Sequence, residues 1–224
     1  MPLIRAASWP RAIACALATL ALLALAGCAG VPRGSLDAVR LAVSGGKLDI
    51  TPEQVAANPF AQILVEAPDG EALMVLGNDD AGLTSWHSPD RRIVFLRDGV
   101  LAGTSGLSAD AVEIRILGDS PFSRLGSVTT ATTLRRYDWM PGYRYGVELR
   151  GTLQRRGIER VEILGVERSL QRFDETLEGA GLRASNRYWA EPGTGAIVRS
   201  REFVAPGVSI EVTVLKPYLP GPAR

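Results

Sequence analysis

A chain of 224 residues, 46% hydrophobic and 22% charged, has room for one globular domain and a leader, with enough apolar residues for a core. Its formal net charge of +1 excludes the basic footprint of a nucleic-acid binder. The same balance gives no case for a polybasic membrane patch.

Residues 1–27 read as an export signal. Arg5 and Arg11 precede an apolar run from Ala12 to Ala26 that only Thr19 interrupts. At about 1.5 Å per residue a helix of that length spans roughly 22 Å, short of the ~30 Å hydrocarbon core. A signal h-region is therefore the better reading of the run and a transmembrane anchor the weaker one.

Leu25-Ala26-Gly27-Cys28 closes the run and resembles the lipobox of bacterial lipoprotein precursors. An ordinary cleavage site with an incidental cysteine is the competing reading. The four residues stand where an h-region should end, which favours the lipobox. That resemblance implies cleavage after Gly27, a thioether-linked diacylglycerol on Cys28 and a further acyl chain. At about 0.8 kcal/mol per buried methylene, two or three chains anchor a protein stably where one does not. Ala29, in place of Asp, follows the cysteine and by the same resemblance implies the outer membrane.

Loss of the leader leaves 23 of the 25 basic residues against 24 acidic ones. Cys15 leaves with it and Cys28 is consumed by lipid, so no thiol remains for a disulfide, a metal or a nucleophile. Residues 28–34 then form a lipidated tether, and residues 35–224 a single β-rich periplasmic domain.

Two short helices are predicted at the start of that domain. Ser35 would cap the first, which runs to about Ser44 before Gly45-Gly46. Thr51-Pro52-Glu53-Gln54 opens the second with a capping Thr, Pro at the first helical position and Gln three residues after the cap. Asn58-Pro59 should end it.

From Phe60 the period becomes strand-like. Ile63-Leu64-Val65 and Leu73-Met74-Val75-Leu76 flank the turn signal Pro68-Asp69-Gly70, and Arg92–Leu96 runs into Asp98-Gly99, a strong hairpin signal. Val112, Ile114 and Ile116 alternate with Glu113 and Arg115, Tyr143, Tyr145, Val147 and Leu149 with Arg144, Glu148 and Arg150, and Val208, Ile210, Val212 and Val214 with Ser209, Glu211 and Thr213. Such alternation places one face on a core and one in water. Further turns are expected at Gly157, Pro192–Gly195 and Pro206-Gly207, with Gln154–Gly157 as a wet hairpin tip. Pairing Val147 with Ile163 and Leu149 with Val161 would set Glu148 against Glu162, which calls for a bulge between Gly157 and Val161. The predicted fold is mainly β, an antiparallel meander curling into an open barrel, cup or sandwich.

Catalytic groupings are sparse. His87 stands alone in Trp86-His87-Ser88-Pro89-Asp90 and reads as a turn residue. A triad or a zinc site needs more partners than it has. Asp79-Asp80 reads as a solvated turn, and Asp174, Glu175 and Glu178 as a polar loop or short helix. Neither has the apolar surroundings that fit one carboxyl for acid duty. The aromatics of the second half, Tyr137, Trp139, Tyr143, Tyr145, Tyr188 and Trp189, lie among Arg135, Arg136, Arg144, Arg150 and Arg187. Their regular alternation favours an aromatic inner face under a charged outer one. As a platform for a ligand or polymer, the candidates are Tyr143, Arg144, Tyr145, Tyr188 and Trp189.

Several segments together resemble one family. They are Ile50–Val55 with Asn58-Pro59-Phe60-Ala61 and Leu73–Leu76, then Trp86, Phe95–Gly99 and Thr104–Leu107, then Asn186-Arg187-Tyr188-Trp189, Gly195 with Ile197, Ser200 and Glu202, and the closing Val212–Lys216. Their order and spacing are similar to those of the YjbF/GfcB-type lipoproteins of exopolysaccharide and group 4 capsule operons. The resemblance implies an outer-membrane lipoprotein facing the periplasm, needed for polymer production or export alongside an outer-membrane β-barrel or other secretion proteins. It brings no catalytic residues and no cofactor beyond the lipid on Cys28. The expected function is a non-enzymatic accessory factor acting through protein or polysaccharide contacts. The alternative is a periplasmic β-cup carrier of a lipid or other hydrophobic ligand. A polysaccharide-modifying hydrolase working through Asp79, Asp80, Asp174 or Glu175 is the third reading.

Overall fold

The computed structural model describes residues 47–219. Cys28, the signal segment, the tether and the helix expected from Ser35 lie outside the described residues. The second predicted helix is present as α1 (Pro52–Ala57): Thr51 Oγ1 accepts from Gln54 N while the Gln54 side chain accepts from Thr51 N, completing the capping box.

Twelve strands follow in chain order: β1 (Gln62–Ala67), β2 (Gly70–Asp80), β3 (Leu83–His87), β4 (Ile93–Arg97), β5 (Val100–Ser105), β6 (Asp110–Ile116), β7 (Thr130–Met140), β8 (Arg144–Ile163), β9 (Val166–Gly179), β10 (Leu182–Ala190), β11 (Ile197–Ala205) and β12 (Val208–Lys216). A 3₁₀ segment, Pro121–Ser127, lies between β6 and β7. All neighbours pair antiparallel in one sheet ordered β5-β4-β3-β2-β1-β12-β11-β10-β9-β8-β7-β6. Pairing of β1 with β12, with Ile63 opposite Val214 and Val65 opposite Val212, joins the two ends of the meander. The result is a nearly closed barrel, open along one seam where β5 and β6 meet without a ladder. Of the three predicted shapes, the open barrel is the one formed.

Local chemistry explains most turns. Asp98 and Gly99 have φ of 53° and 76°, the left-handed pair that a two-residue hairpin matched to strand twist requires. Leu164 and Gly165, at 52° and 75°, make the same turn. That second turn corrects the expected hairpin tip at Gln154–Gly157. β8 runs straight through those residues, and its ladder with β9 shifts register between Arg155 and Ile158. Gly157 thus serves a bulge and not a turn, and the pairing of Val147 with Ile163 does not form: Val147 faces Tyr137 on β7. The stretch Asp174–Glu178, expected as loop or helix, is part of β9. His87 is the last residue of β3, exposed, with its ring 3.2 Å from Ser85 Oγ.

Inward-facing Ile63, Val65, Met74, Val94, Leu149 and Leu177 build the main core. The rings of Tyr137, Trp139 and Phe203 meet there edge to face at 5.4–6.1 Å. Toward the opposite end Phe122 of the 3₁₀ segment packs on Tyr188 at 4.9 Å, in a second cluster with Leu153 and Phe173. Beyond Gln154 on β8 and before Gln171 on β9 the hairpin has no lateral partner strand. Its Val161, Ile163 and Leu170 pack instead on Trp189 and Val198 of the barrel's outer face.

A buried ion network in the barrel

The inward register that carries Tyr137 and Trp139 on β7 also carries Thr133 and Arg135, so a guanidinium is placed inside the barrel. β9 sends in Glu175 between Phe173 and Leu177, β10 sends in Asn186 and Tyr188, and β11 sends in Ser200 and Glu202. Arg135, Glu175 and Glu202 are at most 1% exposed.

Arg135 grips Glu175 as a fork. Its Nε donates to Oε1 at 3.1 Å, and Nη2 lies 2.8 Å from Oε2. Glu175 also accepts from Thr133 Oγ1 at 2.6 Å, Asn186 Nδ2 at 2.9 Å and Tyr188 Oη at 2.9 Å. Burial acts to raise the Glu175 carboxyl, but the Arg135 charge and these donors outweigh it and hold the pKa below the usual value. Arg135 shows the mirror effect: burial disfavours its charge, while Glu175 and the other acidic neighbours hold its pKa above the ordinary range.

Glu202 is the unbalanced member. Both its oxygens accept from Leu101 N on β5, at 3.0 and 3.2 Å, while Arg135 Nη1 is 4.0 Å away. Burial pushes its pKa up to about 7, against the opposing pull of Arg135 and the Leu101 amide. The charge count gives the reason. One guanidinium faces two carboxylates; Glu175 neutralises it, and a second anion would leave the dry interior with net charge −1. A proton on Glu202 restores neutrality, while Tyr188 Oη donates to its Oε2 at 3.3 Å. Chemically the network binds one proton near neutrality. It is sealed from substrates.

The five candidate contact residues do not come together. Tyr143, on the turn between β7 and β8, and Tyr145, at the start of β8, are 72% and 58% exposed, and Arg144 between them lies over the Trp139 ring at 5.8 Å. Positive φ at Tyr143 and Gly146 breaks the alternation that would have turned these tyrosines inward. Tyr188 belongs to the interior network. Trp189 faces outward beneath the β8–β9 hairpin, its Nε1 donating to Glu159 Oε2 at 2.9 Å and Arg187 and Arg199 on its ring. Of the carboxylates, Asp79 and Asp80 are exposed near the end of β2, and Asp174 faces Arg156, Arg172 and Arg187. Among the described residues, no group of three His, Cys, Asp or Glu side chains is arranged to hold a metal. No described helix is long and apolar enough to cross a membrane.

In the sequence Arg135 stands only as one of the arginines around the aromatics, Glu202 only as part of the family-like closing segments, and Glu175 only within a polar loop or short helix. The signal is their phase: each stands in the inward register of a strand that also sends apolar or aromatic residues into the barrel.

Residues 36–215 match the family described as "Group 4 capsule polysaccharide lipoprotein gfcB, YjbF". The chain is 23% identical over 200 residues to "Uncharacterized lipoprotein GfcB" of Escherichia coli (strain K12), covering 86% of this chain and 94% of that protein. Its fold is similar to the crystal structure of the hypothetical lipoprotein YmcC from Escherichia coli (K12), with a TM-score of 0.69, 22% identity, and coverage of 82% of this chain and 96% of that one. The family match takes in α1 and essentially the whole barrel, including every strand that contributes to the buried network. By that match the chain belongs to the family of group 4 capsule polysaccharide lipoproteins.

Proposed function

We propose that this lipoprotein serves capsule or exopolysaccharide production or export as a non-enzymatic accessory factor. It is held by acyl chains on Cys28 at the outer membrane, faces the periplasm, and works through contacts with the polymer or with secretion proteins such as an outer-membrane β-barrel. The family match over residues 36–215 carries the reading. The lipobox-like Leu25–Cys28 supports the anchor, and Ala29 the choice of membrane. Support for a non-enzymatic role comes from the buried network, whose Glu175 and Glu202 are committed to partners within the fold. Deleting the gene and measuring secreted polysaccharide tests the role; unchanged output would overturn it. Mass spectrometry of the mature N-terminus tests the anchor, with an acylated Cys28 as the expected result.

The barrel favours one other reading, a carrier of a lipid or other hydrophobic ligand. Arg135, Tyr137, Phe173 and Tyr188 fill the interior, so such a ligand would need them to move. Lipid co-purifying in stoichiometric amount would select the carrier.

A further inference from the structure

The seam between β5 and β6 is built, and its construction points to a use. Both edge strands carry bulges there. On β5, Phe95 pairs with Gly103 and Leu96 with Leu101, leaving Ala102 as the extra residue; on β6, Ala111 pairs with Trp139 and Glu113 with Asp138, leaving Val112. Facing bulges bend the two edges out of register with each other and block a ladder. At one end the backbones are pressed together, since a Cβ on Gly103 would stand 3.2 Å from the Val112 carbonyl oxygen. Thr104 Oγ1 pins that end, donating to Asp110 Oδ1 and accepting from Ala111 N, each at 2.9 Å. From inside, Glu202 holds the Leu101 amide and fixes the depth of β5.

Toward the Val100 and Ile116 end the edges part into a slot of about 700 Å³ that stays open to solvent. Its apolar lining includes Phe95, Ala102 and Val112, the last 53% exposed. Arg97, Arg115, Asp98, Glu113 and Asp138 also line it, a near-balanced set in which Arg115 pairs with Glu113 and Arg97 Nη1 donates to the Ala81 carbonyl. Three ligand chemistries can be compared against this lining. A polyanion would meet more carboxylates than guanidiniums. An acyl chain would keep much of its length wet in a slot with one open side, forfeiting the apolar burial that would bind it. A sugar ring fits both features, because its apolar face can lie on Phe95 and Val112 while its hydroxyls meet charged donors and acceptors or remain hydrated.

We propose that the β5–β6 slot is a glycan-binding site that takes a short, weakly charged stretch of polysaccharide against Phe95 and Val112, with Glu113 and Arg115 bonding its hydroxyls. This rests on the polysaccharide role proposed above and adds the place of contact. The test uses the full mature lipoprotein in detergent, titrated with oligosaccharides cut from the polysaccharide that the producing cells secrete. Val112→Glu puts a charge on the apolar lining and Arg115→Ala removes a donor. Both positions are exposed, and unchanged melting would show that the variants fold. Binding to the wild type, weakened at least tenfold by Val112→Glu and severalfold by Arg115→Ala, is the expected result. No binding at millimolar oligosaccharide, or equal binding by wild type and both variants, overturns the slot. In cells the two readings separate. Unchanged secretion on gene deletion removes the polysaccharide role itself. Secretion that falls on deletion but is fully restored by the Val112→Glu gene, with wild-type binding, removes only the slot.

Discussion

Arg135 on β7 and Glu175 on β9 meet as a two-pronged pair across the intervening strand β8, Nε to Oε1 at 3.1 Å and Nη2 to Oε2 at 2.8 Å, with neither side chain more than 1% exposed. A pair this deep contributes little against a well-packed apolar substitute, yet breaking it strands a charge in a medium that cannot solvate it. Arg135→Met should therefore cost about 3–5 kcal/mol, since it leaves Glu175 without its counter-charge. Arg135→Met combined with Glu175→Gln should recover part of that loss. Urea denaturation of the two single variants and the double variant measures the coupling, and additive losses would contradict the pairing.

Glu202 gives the barrel a pH dependence of definite sign. Its folded pKa, about 7, is above the ordinary carboxyl value, so between the two values the native state holds a proton that the unfolded chain has lost. The Glu202 contribution to stability then falls as pH rises through that window and is fully present below it. The expected change from pH 5 to pH 8 is on the order of 2–3 kcal/mol for a shift of this size in a fully buried group. Glu202→Gln, a neutral mimic that keeps the Leu101 contact through its carbonyl oxygen, should flatten the curve and raise stability at pH 8. Denaturation midpoints at the two pH values for both proteins decide it. Equal slopes would show that Glu202 does not carry the proton.

The pattern of twelve strands was legible where chain chemistry is local. Thr51-Pro52-Glu53-Gln54 announces its helix, Asp98-Gly99 its hairpin, and Val208–Val214 its half-buried strand, because each depends on neighbours a few residues away. The long β8 was not legible. Gly157 resembles a turn, but whether a glycine turns or bulges is set by partner strands that pair across the sheet, and here β9 continues past it. The network was hidden for a related reason. Arg135, Glu175 and Glu202 are ordinary surface residues in isolation, and only the closing of the sheet shows that three distant strands aim them at one another. The slot at β5–β6 depends on two bulges that no alternation pattern displays; Val112 keeps the phase of an inward residue in the sequence and is exposed in the fold.

Gly151 marks where β8 passes the network. A Cβ there would overlap Thr133 Oγ1 and stand 2.5 Å from Glu175 Oε1, so even one added methyl must displace a donor or the carboxylate. Gly151→Ala should destabilise the protein by about 1–3 kcal/mol through overpacking, although alanine suits a strand better than glycine. Thr133→Ser beside it keeps the hydroxyl and removes a methyl, and should cost less. Thermal melting compares them, and a neutral Gly151→Ala would mean that the interior is looser than its contacts indicate.

Trp189 ties the β8–β9 hairpin to the barrel wall. It donates from Nε1 to Glu159 and packs with Val161, Ile163 and Leu170, while the guanidiniums of Arg187 and Arg199 lie 5.6 and 5.7 Å from its ring centre. Because residues 159–170 pair only with each other, opening this hairpin does not require the barrel to open. Trp189→Phe removes the hydrogen bond and some contact area, an expected loss of about 1 kcal/mol. Trp189→Ala removes the anchor, and about 3 kcal/mol of local stability should go with it. Hydrogen exchange separates local from global effects. Amides of residues 159–170 should exchange faster in both variants, most in Trp189→Ala, with the amides of β1, β11 and β12 as protected as before. Acceleration spread evenly over the sheet would instead make the hairpin part of the barrel's single cooperative unit.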